Sequence, residues 1–366
     1  MSEFVFGTHN AAFVQVMYEQ FLRDPASVPE EWRQLFDNGH LTDLPIIPTD
    51  ISGVRRETGS EKRETEPTAT PAATSSASPA SPASPASPPP PSPAPTSHPG
   101  LTPITGPAAR LVQNMTDSLV VPTATSFREV AASVLDSQRR ALNAQLAAAG
   151  KKISFTHLIG WALVLATKQF PVMTHAFQDV EGKPHRFDPQ ASNLGLAVDV
   201  ERKDGTRGLV VPVIKRADQM DFATFHATYE TLVEKARTNK LLPDAFAGAT
   251  ITLTNPGTIG TVASVPRLMK GQGSIIATGA IRDTAGAKVI TISSTYDHRI
   301  IQGAESGMFL RKVDSLLQGE DRFYEGVAES LGMTGIAKGQ IGNSSAPAAS
   351  IPVSPVTFPE AGRPGG

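Results

Sequence analysis

The stretch KVITISSTYDHRIIQGAESGMFLRKVDSLL, Lys288–Leu317, decides the fold class of this chain. Val289, Ile290 and Ile292, set among small hydroxyl residues, read as a strand over Lys288–Ser294. The chain then passes a polar knot around Tyr296, Asp297, His298 and Arg299, reaches Gly303, and enters a helical period over Ala304–Leu317. Upstream lie further β-rich runs at Ser274–Ile281, Thr250–Thr254, Leu209–Ile214 and Leu194–Val200, with a helix from Asp221 to about Asn239 between them. Before these, Phe127–Ala149 is helical in period, with Arg139 and Arg140 on its polar side and Gly150 as a stop. Ser154 caps the apolar helix FTHLIGWALVLATKQF, which Pro171 closes. Two helices, two strands, a helix, three strands and a helix predict an α/β layered domain. The order is not a regular βαβ alternation, so a mixed sheet with helices on one face is expected.

Around this domain, composition changes sharply. Of the 366 residues, 33 are basic and 35 acidic, and a net charge of −2 gives no general electrostatic reason to bind nucleic acid or an anionic membrane. Zero cysteines exclude disulfides, thiolate metal sites and a cysteine nucleophile. The N-terminus lacks the charged and apolar regions of a signal peptide, and no apolar run is long enough to span a bilayer, so a cytoplasmic location is expected. Twelve prolines fall within Pro67–Gly100, and no Phe, Trp or Tyr occurs between Phe36 and Phe127. Such a segment cannot bury a core. Residues 41–107 are therefore read as a disordered, semi-rigid linker, 108–340 as the folded domain and 341–366 as a disordered tail.

Residues 1–40 form a separate piece. Phe13, Val16, Met17, Phe21 and Leu22 make a helical stripe ending at Asp24-Pro25, and Ser27 opens a second turn carrying Trp32, Leu35 and Phe36. Helices this short need a partner surface. That surface is either the chain's own domain or another protein, and the long spacer favours a docking segment for a partner.

Several chemistries are absent by inspection: no phosphate-binding loop, dinucleotide-binding turn, serine elbow or zinc-protease helix occurs. The eight histidines are scattered, which gives no clustered metal set, and His157, His175, His185 and His226 are most simply structural. His298 differs because it ends a strand, where a scaffold fixes a side chain while leaving one side open. A hydrogen bond at the helix entry is the structural alternative for it. In TITLTNPGTIGT, Thr254 ends a strand before the tight turn Asn255-Pro256-Gly257, placing a hydroxyl where it can donate to a developing oxyanion; the alternative is a turn and no more.

Together GLVVPVIKRAD (Gly208–Asp218), TLTNPGTIGT (Thr252–Thr261) and YDHRIIQG (Tyr296–Gly303) resemble the catalytic domain of dihydrolipoyl acyltransferases of 2-oxo acid dehydrogenase complexes, over about Leu111–Leu317. The resemblance implies a chloramphenicol acetyltransferase-like two-layer α/β sandwich and an active site shared between subunits of a homotrimer. It assigns His298 as the base that deprotonates the thiol of CoA or dihydrolipoamide and Thr254 as the oxyanion donor, with Asn255, Asp297, Arg299 and Gln302 in support. Threonine before the asparagine, where acetyl-transferring members more often have serine, points to the succinyl-transferring branch. The N-terminal AAFVQVMYEQFLRDPASVPEEWRQLF is similar to the leader of 2-oxoglutarate dehydrogenase, and its fusion to an acyltransferase domain resembles the actinobacterial multifunctional 2-oxoglutarate dehydrogenases.

CoA is then a substrate, and the lipoyl group comes from a partner protein, because no lipoyl hairpin is present; Glu234-Lys235-Ala236 lies in a helical period. The other complex components are the implied partners. No segment has the size of a thiamine-diphosphate module, which makes the chain a truncated or split form in this reading. Gln302 stands where the family usually has aspartate, although multifunctional members also carry glutamine there. It can hydrogen-bond but holds no charge. That departure gives the competing reading, a trimeric scaffold without turnover.

Overall fold

The computed structural model describes residues 10–37, 100–201 and 207–333. Most of the expected linker and the whole expected tail lie outside those residues. A seven-stranded mixed sheet forms the frame: β1 (Thr123–Ala131), β4 (Leu194–Leu196), β7 (Val213–Ile214), β8 (Ile251–Thr254), β9 (Ser274–Thr278), β10 (Arg282–Thr284) and β11 (Ala287–Asp297). The order is β1-β11-β9-β8-β4-β7, with β10 also on β11. β4, β8 and β9 run parallel, and the flanking pairs are antiparallel. Two hairpins stand apart from it, β2 (Ala176–Val180) with β3 (Lys183–Phe187), and β5 (Val198–Glu201) with β6 (Arg207–Val210).

Side-chain alternation divides the two faces of the sheet. Leu194, Ile251, Leu253, Ile276, Ile290, Ile292 and Tyr296 join the main core. Helices α4 (Ala132–Leu146), α5 (Phe155–Gln169), α6 (Phe222–Arg237) and α7 (Gly303–Leu317) contribute many of its other residues. The other face carries hydroxyls: Ser293 donates to the Ser264 carbonyl at 2.6 Å, and Thr125 meets Thr295 at 2.9 Å. α5 reads as apolar all round because it is buried nearly throughout, and its start is fixed as expected, with the His157 amide donating to the Ser154 hydroxyl at 3.1 Å.

Some expectations need correction. Phe127–Ala131 is strand, not helix: it completes β1, whose nine residues all pair with β11 before α4 begins at Ala132. Here strand pairing overrode a helical period. Leu194–Val200 and Leu209–Ile214 each divide into two short strands, the second at Pro212, which has no amide to donate. Helix α3 (Gly106–Ser118) begins inside the expected linker, and α8 (Phe323–Ser330) follows α7.

The largest correction concerns the N-terminus. Helices α1 (Ala11–Arg23) and α2 (Glu30–Asp37) do not hold an apolar face open for a partner; they pack on the chain's own domain. The Trp32 indole N–H donates to the Leu241 carbonyl at 3.0 Å, and Phe13 lies 5.0 Å from Phe246, ring to ring. The Asn10 amide donates to the Val211 carbonyl at 3.1 Å while its oxygen accepts from the Val211 amide at 2.7 Å, so a side chain pairs with the backbone that leads into edge strand β7.

Candidate active site

His298 is carried by the turn between β11 and α7. Asp297, almost fully buried, accepts a fork from Arg299 at 2.9 and 2.6 Å and also the Arg299 amide at 3.0 Å. Such bidentate charged bonds fix orientation as well as adding strength. The His298 amide donates to the Pro122 carbonyl at 2.9 Å, and Ile300 and Ile301 anchor the turn in the core. The backbone around the imidazole is thus pinned on three sides while the side chain itself is exposed, with Tyr296 edge-on at 5.6 Å. Gln302 is the N-cap of α7; its amide donates to Glu305 at 2.7 Å.

Thr254 ends β8, half-buried, and no described group hydrogen-bonds its hydroxyl. Asn255 donates to the Thr156 hydroxyl at 2.8 Å, tying the turn to the start of α5. The glycine in Asn-Pro-Gly has a steric cause, because a Cβ on Gly257 would collide with the backbone of Gly279. Alanine there would push the turn away and move Thr254 with it.

Sheet register places the two sites far apart. Tyr296 pairs with Ser274 at one end of β9, and Thr254 pairs with Ala277 at the other. Three residues of rise plus the two-residue step from Tyr296 to His298 separate them by about 16 Å along the strands, and two strand spacings add roughly 10 Å across. One chain does not bring His298 to Thr254.

At the Thr254 end, the structure gathers residues that the sequence did not single out for chemistry. Buried Asp136 holds Arg139 at 3.1 Å, Arg140 at 2.7 Å and Lys288 at 3.3 Å. Burial works to raise the Asp136 pKa, but the bonds from Arg139 and Lys288 and the charge of Arg140 outweigh it and lower it. The Arg139 guanidinium lies 4.2 Å over the Phe155 ring, next to Thr156. Three cations thus surround one carboxylate, and Arg139 connects this cluster to the Asn255 turn by way of Phe155 and its neighbour Thr156. The Arg139-Arg140 pair was visible in sequence only as a polar helix face.

The scattered histidines also need revision. His157 and His226 lie 4.5 Å apart, ring to ring, and Glu230 completes a set whose ligand atoms lie within 4.8 Å of one another. Fold contacts already occupy three of the four ring nitrogens: His157 Nδ1 accepts from the Ser154 amide at 3.2 Å and Nε2 meets Glu230 at 2.8 Å, while His226 Nε2 meets the Lys152 carbonyl at 3.0 Å. The pair joins α5 to α6. Burial, aided by His226, pushes the His157 pKa down to about 3, and half-exposed Glu230 does not reverse this. The folded state therefore refuses a proton that the unfolded chain accepts below about 6.5, so stability falls as pH drops through that window. The domain should be about 2 kcal/mol less stable at pH 5 than at pH 7 from this residue alone. Urea melts of wild type and His157→Gln at both pH values check it: the variant should lose that part of the pH dependence.

The mixed sheet thus carries a histidine turn at one strand end and a Thr-Asn turn at the other. Residues 98–323 match the family of 2-oxoacid dehydrogenases acyltransferase (catalytic domain), and residues 2–40 match the 2-oxoglutarate dehydrogenase N-terminus. The chain belongs to that acyltransferase family. It is 51% identical over 243 residues to the multifunctional 2-oxoglutarate metabolism enzyme of Mycobacterium sp. (strain JLS), covering 62% of this chain and 19% of the relative. It is 44% identical over 358 residues to the enzyme of the same description from Mycolicibacterium vanbaalenii, covering 88% and 29%. The chain thus spans under a third of these curated relatives.

Among solved structures, it resembles a dihydrolipoamide acetyltransferase of Azotobacter vinelandii investigated for the role of a serine, a histidine and an asparagine in its catalytic mechanism. That match has a TM-score of 0.54 and 28% identity, covering 60% of this chain and 90% of the other. The cubic core of a pyruvate dehydrogenase multienzyme complex aligns with a TM-score of 0.53 and 28% identity, covering 65% and 99%. No described helix is long and apolar enough to cross a membrane.

Proposed function

We propose that the chain transfers succinyl groups between a dihydrolipoyl group on a partner protein and CoA, with His298 as general base and Thr254 as oxyanion donor. The carrying observation is an exposed imidazole on a backbone turn locked by the Asp297–Arg299 fork. The neutral imidazole takes the thiol proton as sulfur attacks the thioester carbonyl carbon. The carbonyl oxygen becomes an oxyanion, to which the Thr254 hydroxyl donates. Collapse breaks the original carbon–sulfur bond, and the departing thiolate recovers the proton from the imidazolium. No covalent enzyme intermediate is required.

The separation of His298 and Thr254 supports a site completed by a second copy, as in the homotrimer that the resemblance implies. Ile259, Val262 and Val265, exposed beyond the Thr254 turn, are suitable apolar residues for such a contact. The Arg139, Arg140 and Lys288 cluster outnumbers its one carboxylate and suits the phosphates of CoA. The succinyl preference, the cytoplasmic location and the partner components belong to this same proposal; they draw support from the threonine before Asn255 and from the relatives' 2-oxoglutarate metabolism.

Gln302 is compatible with turnover. In the Azotobacter vinelandii acetyltransferase the asparagine stands four positions after the histidine, the place of Gln302 relative to His298, so an amide occupies both. A succinyl-CoA:dihydrolipoamide exchange assay on purified protein tests the reading, and no exchange would favour a scaffold. Thr254→Val should lower the exchange rate about 100- to 1,000-fold with little change in KM, the loss of one oxyanion donor. A rise in KM alone would make the hydroxyl a ground-state contact.

A further inference from the structure

Hairpin β2–β3 is exposed along the whole of β3 and lies outside the main sheet, yet one cross-strand pair on it reaches the His298 turn. Phe177 and Arg186 stand directly opposite each other in the hairpin register. The Phe177 ring lies 3.7 Å beneath the Arg299 guanidinium, and Arg186 Nη2 donates to the Ile300 carbonyl at 3.0 Å. The two residues that follow His298 are therefore both gripped by one pair. The Asp297–Arg299 fork is local, two residues apart, and the other anchors of the turn, the Pro122 carbonyl and the buried Ile300 and Ile301, hold its backbone without fixing the Arg299 side chain from outside the turn. A cation over an aromatic face and a charged donor on a buried turn's carbonyl tie the turn to a second element.

Resting on the acyl-transfer reading, we propose that Phe177 and Arg186 are positioning residues for the His298 imidazole. Neither touches the reacting atoms. They act through Arg299 and Ile300 on where the base sits, and a base displaced by about 1 Å loses rate out of proportion to any loss of binding. The hairpin turn itself, at Glu181 and Gly182 with φ of 55° and 75°, is of the tight type that sets strand register, which keeps Phe177 opposite Arg186.

The test uses the full chain with Phe177→Leu, which keeps apolar bulk without the ring, and Arg186→Met, which keeps the stem without the donors. Each should lower kcat for succinyl exchange about 10-fold, and both together about 100-fold, with KM for CoA and the melting temperature unchanged. Phe177→Tyr and Arg186→Lys should restore most of the rate. The His298 ring resonance, assigned by its loss in His298→Ala, should shift in the impaired variants and return in the rescued ones. An unchanged kcat together with an unmoved resonance overturns the proposal, and so does a fall in melting temperature that the conservative variants do not repair. If wild type transfers no acyl group, the acyl-transfer reading fails by itself, and the resonance alone then decides whether the pair positions the imidazole.

Discussion

On the acyl-transfer proposal, His298→Ala should lower succinyl-CoA:dihydrolipoamide exchange by roughly 100- to 10,000-fold, the usual worth of a positioned general base, and should leave the fold intact. The fold should survive because the imidazole is exposed, while Asp297, Arg299 and Ile301 hold the turn without it. A rate equal to wild type would remove His298 from the mechanism. A mixing experiment extends the result. His298→Ala and Thr254→Val copies, inactive separately, should regain activity when unfolded and refolded together if each site draws its histidine and threonine from different copies. Random assembly of trimers would leave about one site in four with both groups. No regain would place both groups of each site in one chain, against the separation set by the sheet register.

Trp32→Ala should cost about 3–5 kcal/mol of stability, the range for emptying a buried indole site. Trp32 is fully buried, packs against Phe36 at 5.5 Å and Phe246 at 6.2 Å, and loses its bond to the Leu241 carbonyl on substitution. A domain of this size would melt roughly 10 °C lower in calorimetry. The outcome separates the two readings of the N-terminus, since a segment that waited for a partner could lose its tryptophan with no effect on the melting of the isolated chain. Trp32→Phe, which keeps most of the ring packing, should recover most of the loss.

Much of the candidate site is legible in the sequence alone. His298 and Thr254 each close a strand, and strand, polar turn and glycine leave a local signature whatever the surroundings. The cap at Ser154 and the stop at Gly150, which adopts a φ of 64°, were legible for the same reason: each satisfies or bends only its own few residues. The mixed sheet followed from element order. The residues that were missed, Asp136 with Lys288, His157 with His226, and Phe177 and Arg186 with the His298 turn, all meet across long sequence separations. A histidine in a helix carries no local sign of the carbonyl or ring it will face.

The sequence by itself determined the α/β class, the motifs and the identity of the two candidate groups, because periodicity, capping and turn chemistry act within a few residues. Only the tertiary structure decided that Phe127–Ala131 would be strand, since β11 offers nine partners whose pairing outweighs a weak helical preference. It also decided where the N-terminal helices rest, because an amphipathic stripe states that it needs an apolar surface and is silent on which one. The distance between His298 and Thr254 was decided the same way: both motifs end strands, and their place at opposite ends of β9 arises from the direction in which each strand runs.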